Sequence, residues 1–175
     1  LTSQPIDVQI SATTGLPEET IIGLPDTVVK ESRSRIKSAL QLSGFMLPSM
    51  AYTINLSPVD VQKKSNSIEL AIAVGLLSIT QQINVDLDLC FLGALSLDGV
   101  IEPVRHMLPL IHYYNTPSTT FVIPQDNVKD IQFLDGVQFR IGERFQRRLQ
   151  GSDVIDVNLV FATCRVGVCD HVVDR

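Results

Sequence analysis

The sequence predicts an α/β chain, a two-layer sandwich of the α+β kind. Two observations carry that expectation. Period-2 and helical hydrophobic patterns alternate along the chain, and short turn signals such as Asp98-Gly99 separate strand-like runs. Elements of this sort are apolar on one face or stripe and pack as layers around a common core.

Ile6, Val8 and Ile10 alternate with polar residues, the signature of a half-buried strand. Gly15-Leu16-Pro17 reads as a turn, and Thr20–Leu24 as a second strand pairing back on the first. Asp26 stands where an N-cap belongs, Thr27 to Leu42 follows a helical pattern, and Gly44 closes it. The apolar stripe of that helix is Val28, Val29, Ile36, Ala39 and Leu40; Glu31 is placed to pair with Arg35 one turn on. Ala51–Leu56 reads as a third strand and Pro58–Asn66 as a polar loop. From Ser67 to about Thr80 the chain is apolar nearly all round, which predicts a buried central helix with Ser67 as its N-cap. Cys90–Leu95 and Val100–Ile101 form a hairpin about Asp98-Gly99, and Pro103 suits the first turn of a helix reaching Tyr114. Thr120–Ile123 is a strand, Pro124 opens a short helical stretch with Val128 and Ile131, and Val137–Ile141 is a further strand before a short basic helix. The expected division is a domain over 1–150 and a tail over 151–175, the tail supplying an added edge strand, a swapped arm or a simple extension.

Composition narrows the function classes. With 175 residues, 45% of them hydrophobic and 19% charged, the chain is long enough for one good core and too short for two large domains. A net charge of −5 argues against a whole-surface nucleic-acid binder while allowing a local basic patch. The longest apolar stretch, Leu70 to Ile79, falls short of the roughly 20 residues a membrane span needs. No basic segment precedes an apolar one at the start, so the expected location is the cytoplasm. A first residue Leu1 rather than Met suggests an excised or processed piece. Cys90, Cys164 and Cys169 are too few and too scattered for a disulfide framework. Cys164, Cys169 and His171, with Asp170 and Asp174 nearby, give only a partial zinc ligand set, and no metal site is expected.

Three blocks in order carry a resemblance: GLPDTVVKESRSRIKSAL (Gly23–Leu40), NLSPVDVQKKSNSIELAIAVGLL from Asn55, and FLGALSLDGVIEPVRHML from Phe91. Over roughly Ile6 to Arg140 the chain resembles the N-terminal domain of the magnesium-chelatase-like competence proteins, the ComM/YifB family. That domain shares a superfamily with the proteolytic domain of Lon and the C-terminal domain of RadA. The resemblance implies the ribosomal-protein-S-five second-domain-like fold, a mixed sheet packed by helices.

The Lon likeness raises a peptidase question. Such peptidases use a Ser at the start of the central helix and a Lys on the helix after the hairpin, an amine that must be neutral near pH 7 and close to the hydroxyl. Ser67 falls near the nucleophile position, but the Lys position falls at Leu108, and Asp86 to Asn127 contains no lysine. His106 and His112 are the nearest substitutes. The chain also departs from the family at Ser65-Asn66-Ser67 in place of a glycine-rich run, at Glu69-Leu70-Ala71 in place of D-L-P, and at Ala94 in place of a hairpin Glu. Phosphate-cradling glycines are missing around Lys64-Ser65, so no nucleotide motor is expected here. The resemblance places ATP and Mg in an AAA+ module beyond this stretch. It therefore implies a non-catalytic accessory domain whose partners are that module, further copies of the chain, and DNA. Candidate contacts are Lys30, Arg33 and Lys37 on one helix face, Lys63 and Lys64 in the loop, and Arg144, Arg147 and Arg148 at the domain end. The alternatives are a stand-alone oligomerisation module and a residual peptidase at Ser67.

Overall fold

Alternating burial in the first strand fixes how the N-terminal half assembles. In a computed structural model, which describes residues 5–22, 27–57, 66–85, 89–116, 118–145 and 167–169, Ile6 and Val8 point into the core from strand β1 (Pro5–Thr13). Strand β2 (Glu18–Ile22) is followed by helix α1 (Thr27–Leu42) and strand β3 (Ala51–Ser57). Here the expected pairing is corrected. β2 does not fold back on β1; it runs parallel to β3, Ile21 opposite Ile54, while β1 lies antiparallel on the other side of β3. The helix between β2 and β3 supplies the long crossover that a parallel pair requires. The sheet order is β2-β3-β1-β9, with β9 (Gly167–Cys169) antiparallel along β1.

The bounds expected for α1 hold, and it closes as anticipated. Gly44 takes φ 86°, and Phe45 N–H bonds back to the Leu40 carbonyl. Ile36, Ala39 and Leu40 are buried, as the stripe requires; Asp26 and the side chains at Val28, Val29 and Lys30 lie outside the described residues. Helix α2 (Glu69–Ile79) is the buried central helix, with every residue from Glu69 to Val74 inaccessible to solvent or nearly so.

The second half uses one apolar run to serve two cores. Strand β4 (Leu89–Phe91) pairs parallel with β7 (Thr120–Pro124), which pairs parallel with β8 (Gln138–Gly142). Leu89, Phe91 and Val122 join the core under β1–β3, whereas Cys90, Phe121 and Ile123 face a second cluster with Met107, Leu110 and Ile111. A parallel sheet covered on both faces has to read as a continuous apolar run, because successive side chains point to opposite sides. The expected strand Cys90–Leu95 is therefore two. β4 ends at Phe91, and β5 (Ala94–Leu95) begins a separate hairpin with β6 (Ile101–Glu102).

Two further expectations are corrected. Pro103 does not open a helix; α3 (Met107–Tyr114) starts four residues later. Buried Asn127 holds Val104 at both ends, accepting from its N–H at 2.9 Å and donating to its carbonyl at 2.9 Å, which ties this backbone, ahead of the helix, to the Gln125–Asn127 segment. His106 then adopts a left-handed φ of 58° and sets the helix start. Pro109 is accommodated in the first turn of α3, where its missing N–H would have had no helical partner. Asn127 ends a 3-10 turn (Gln125–Asn127) that runs into the short helix α4 (Val128–Ile131), the helical stretch expected after Pro124. Arg144 is not helical but forms an antiparallel bridge opposite Val100.

Candidate functional site

The N-terminus of α2 is where the sequence reading concentrates its chemistry. Ser67 is 1% exposed and lies in the turn before the helix, not at its N-cap. That position belongs to Ile68, and no side chain caps it. The donors a capping hydroxyl would serve are already taken: Glu69 N–H bonds to the Asn66 carbonyl at 3.1 Å and Leu70 N–H to the Gly93 carbonyl at 3.1 Å. Gly93 returns the contact by donating its own N–H to the Ser67 carbonyl at 3.1 Å. A side chain at Gly93 would have no room, since a Cβ there would lie 2.8 Å from Ile101 Cγ2. On α3, Leu108 is exposed, and so are His106 and His112. The buried serine and the exposed imidazoles therefore differ in solvent access, and no neutral amine stands at the base position.

The residue that organises this end of the sheet is Glu69, which the sequence reading names only as a departure from the family pattern. Its side chain is fully buried. Oε1 accepts from Arg35 Nε at 3.0 Å and Arg35 Nη2 at 2.8 Å, and Oε2 accepts from Leu95 N–H at 2.7 Å. One carboxylate thus joins α1, α2 and the β5–β6 hairpin. A buried carboxylate is tolerated only when paired and hydrogen-bonded, and this one is both. Arg35 turns to Glu69 and not to Glu31, as local helix spacing had suggested. The clue was present: Glu69 is the single charge between Ser67 and Val85, and a charge in a helix apolar all round requires a partner.

The hairpin is held from outside as well. Ser96 Oγ accepts from Val100 N–H at 2.8 Å and donates to Asp98, whose Oδ2 meets Arg144 Nη2 at 2.8 Å. The Ser96 and Arg144 hydrogen bonds hold the Asp98 carboxyl below its ordinary 3.8. Gly99, at φ 84°, sits so close to the C-terminal end of α1 that a Cβ would overlap Oγ of Ser43, the residue that follows the helix.

Among the described basic candidates, Arg33 and Lys37 stand together beside Glu19, and Arg144 stands beside Asp98. Arg33 Nε lies 3.4 Å from Glu19 Oε2, and its Nη1 donates to the Glu19 carbonyl at 3.2 Å. Lys37 is exposed and stands within electrostatic reach of the same Glu19. Burial raises the Glu19 carboxyl above 4.5, with Arg33 and then Lys37 opposing. Arg144 is across the hairpin with Asp98. Lys63, Lys64, Arg147, Arg148, the side chain of Lys30, and Cys164 with His171, Asp170 and Asp174 lie outside the described residues.

Among the described residues no group of three His, Cys, Asp or Glu side chains is placed to hold a metal ion, and no helix is long and apolar enough to cross a membrane. Nor does the start of α2 fit a phosphate cradle, which needs outward amides on a glycine loop: its first two amides are bonded to Asn66 and Gly93.

Comparison with known proteins adds the relatives. The family described as "Subunit ChlI of Mg-chelatase" matches residues 8–127. The chain is similar to YifB of Escherichia coli, 31% identical over 144 residues that cover 81% of this chain and 28% of that protein. It is also similar to YifB of Salmonella typhimurium, 40% identical over 102 residues, 57% of this chain and 20% of that one. Competence protein ComM of Haemophilus influenzae is 28% identical over 152 residues, 79% of this chain and 30% of that one. The chain spans less than a third of the length of these relatives.

Proposed function

The chain belongs to the family of the magnesium-chelatase subunit ChlI that includes YifB and ComM, and from that membership we propose that it serves as a non-catalytic accessory domain of a larger protein. The family is of the AAA+ type. In this reading the ATP- and magnesium-dependent work belongs to an attached AAA+ module, and this domain organises subunit assembly. One observation carries it. The end of α2 where the Lon-type nucleophile would stand is built as a joint, with Ser67 buried and the Glu69 carboxylate committed to Arg35 and Leu95. Such an arrangement holds elements in place, with the Glu69 carboxylate turned to Arg35 and Leu95 and away from solvent.

The test is assembly of the full-length parent protein with and without residues 1–150, followed by sedimentation velocity in the presence of nucleotide. Loss of the assembled species on removal supports the reading; unchanged assembly overturns it. A serine-directed covalent probe addresses the peptidase alternative, and labelling at Ser67 would establish it.

DNA contact is a second reading, favoured by the competence in ComM's name and by the exposed cations Arg33, Lys37 and Arg144. Arg33 and Arg144 keep about half of their side chains in solvent within their ion pairs, at 48% and 46%, and can turn to phosphate. Fluorescence anisotropy of labelled single- and double-stranded DNA over a salt series decides it. Affinity that drops steeply with salt indicates phosphate neutralisation, and no binding at low salt removes this reading.

A further inference from the structure

The outer edge of β2 combines an edge strand with a notch beneath it. Among the described residues β2 is the terminal strand of its sheet, bonded to β3 on one side only. Beneath it, between the sheet and α1, is a notch floored by Ile21, Leu47 and Ile54 and rimmed by Glu19, Arg33 and Lys37. Ile21 and Ile54 are directly opposed across the β2–β3 pair, so the notch lies under the edge strand itself. An open edge offers main-chain donors and acceptors to an added strand, and pockets for its alternate side chains give selectivity.

The charges specify the side chains. Glu19 faces inward from an edge strand, a device that discourages indiscriminate pairing, and it is matched by Arg33 at 3.4 Å. Lys37 is then the surplus cation of the rim; it makes no hydrogen bond among the described residues. Arg33 Nη1 donates to the Glu19 carbonyl at 3.2 Å, an exposed contact that an added strand would displace to use this acceptor. From this juxtaposition we infer that the β2 edge binds an extended peptide segment by strand addition, the segment carrying a carboxylate two residues from an aliphatic side chain on its inward face. The aliphatic group covers Ile21 and Leu47, and the carboxylate meets Lys37.

The probe is a labelled, capped heptapeptide of threonines with Val, Asp and Val at its second, fourth and sixth positions, titrated against the 175-residue chain by fluorescence anisotropy. Expected is saturable binding weakened about tenfold by Asp-to-Lys exchange in the peptide and by Lys37→Glu, a change of one decade in Kd. N-methylation of alternate peptide amides should abolish binding, because it removes the strand's donors while leaving its charge. Lys37 is exposed, so circular dichroism of the variant should match the parent. Equal binding by the N-methylated or the lysine peptide overturns the proposal, as does no saturation at millimolar peptide. Self-association that is broken by Lys37→Glu but not displaced by the peptide would assign the edge to a second copy and overturn it too.

Discussion

Replacing Glu69 with Gln tests whether one buried carboxylate ties α1, α2 and the β5–β6 hairpin together. Three donors converge on it, at 3.0 and 2.8 Å from Arg35 and at 2.7 Å from Leu95 N–H. They do not lose equally when the charge is removed. Arg35 keeps a third of its side chain in solvent, 34%, so a released guanidinium rehydrates and its share falls toward the ~0–1 kcal/mol of a surface pair. Leu95 is fully buried, and its N–H has no such route; leaving it unpaired costs about 1–3 kcal/mol. Gln retains one acceptor oxygen but turns an amide NH₂ toward a second donor. The expected loss is about 2–4 kcal/mol, a large part of the ~5–15 kcal/mol that holds a typical domain folded. In urea, with a slope of about 2 kcal/mol per molar, the midpoint should fall by about 1–2 M. Arg35→Met should cost at least as much, about 3–5 kcal/mol, because it strands a buried charge on a single donor. The double variant should then cost less than the sum of the two by more than about 1 kcal/mol. A Glu69→Gln midpoint within about 0.2 M of the parent, or additive single effects, would refute the joint.

Gly99→Ala meets two penalties, a left-handed φ of 84° and overlap with Ser43 Oγ, and should cost about 2–4 kcal/mol in the same urea assay. Adding Ser43→Ala should restore part of that loss, since only the overlap is relieved. Asn127→Ala removes both bonds to Val104 and should cost about 2–3 kcal/mol, with faster hydrogen exchange at the Val104 amide. Glu19 has its folded pKa raised, so its contribution to stability is complete below 4.5 and declines as pH rises through the folded value. A carbon-detected NMR titration should place its midpoint above 4.5, and Arg33→Met should move it higher. Asp98 has the opposite sign: its carboxylate stabilises the fold above 3.8, and that contribution is lost as pH falls through the lowered folded value. Arg144→Met should bring its midpoint back toward 3.8.

Local signals in the sequence were enough for α1, whose cap region, stripe and terminal glycine agree with one another, and for α2, whose apolar composition admits only burial. Pairing partners were a different matter. Thr20–Leu24 lies a short turn after Ile6–Ile10, which favours a hairpin by proximity, yet Ile21 pairs with Ile54 across a helix because burial of α1 against that face decides the topology. The split of Cys90–Leu95 was likewise invisible to periodicity. A run buried on both faces has no polar alternation to mark where β4 ends, and only Gly93, tied to Ser67 and Leu70, breaks it. At the site, the position of Ser67 near the α2 terminus was legible and its burial was not. The Glu69–Arg35 pair spans 34 residues, a separation at which helix spacing rules carry no information.

The joint lies where the two cores share their strands. Leu95 and Ile101 of the hairpin belong to the core under β1–β3, whereas Ala94, one residue away, belongs to the α3 cluster. The Leu95 amide that Glu69 holds is therefore the backbone point at which the chain passes from one core's wall to the other's. Apolar contacts alone would fix the depth of that strand but not its register, since burial is non-directional and a one-residue slip would exchange Ala94 and Leu95 between cores. A short charged hydrogen bond to a single N–H is directional and selects one register. The cost of burying the carboxylate is offset by Arg35 from a third element, which makes the selection depend on α1 being in place. Register selection of this kind gives a physical reason to retain a buried ion pair even where hydrophobic residues of similar volume are often as stable.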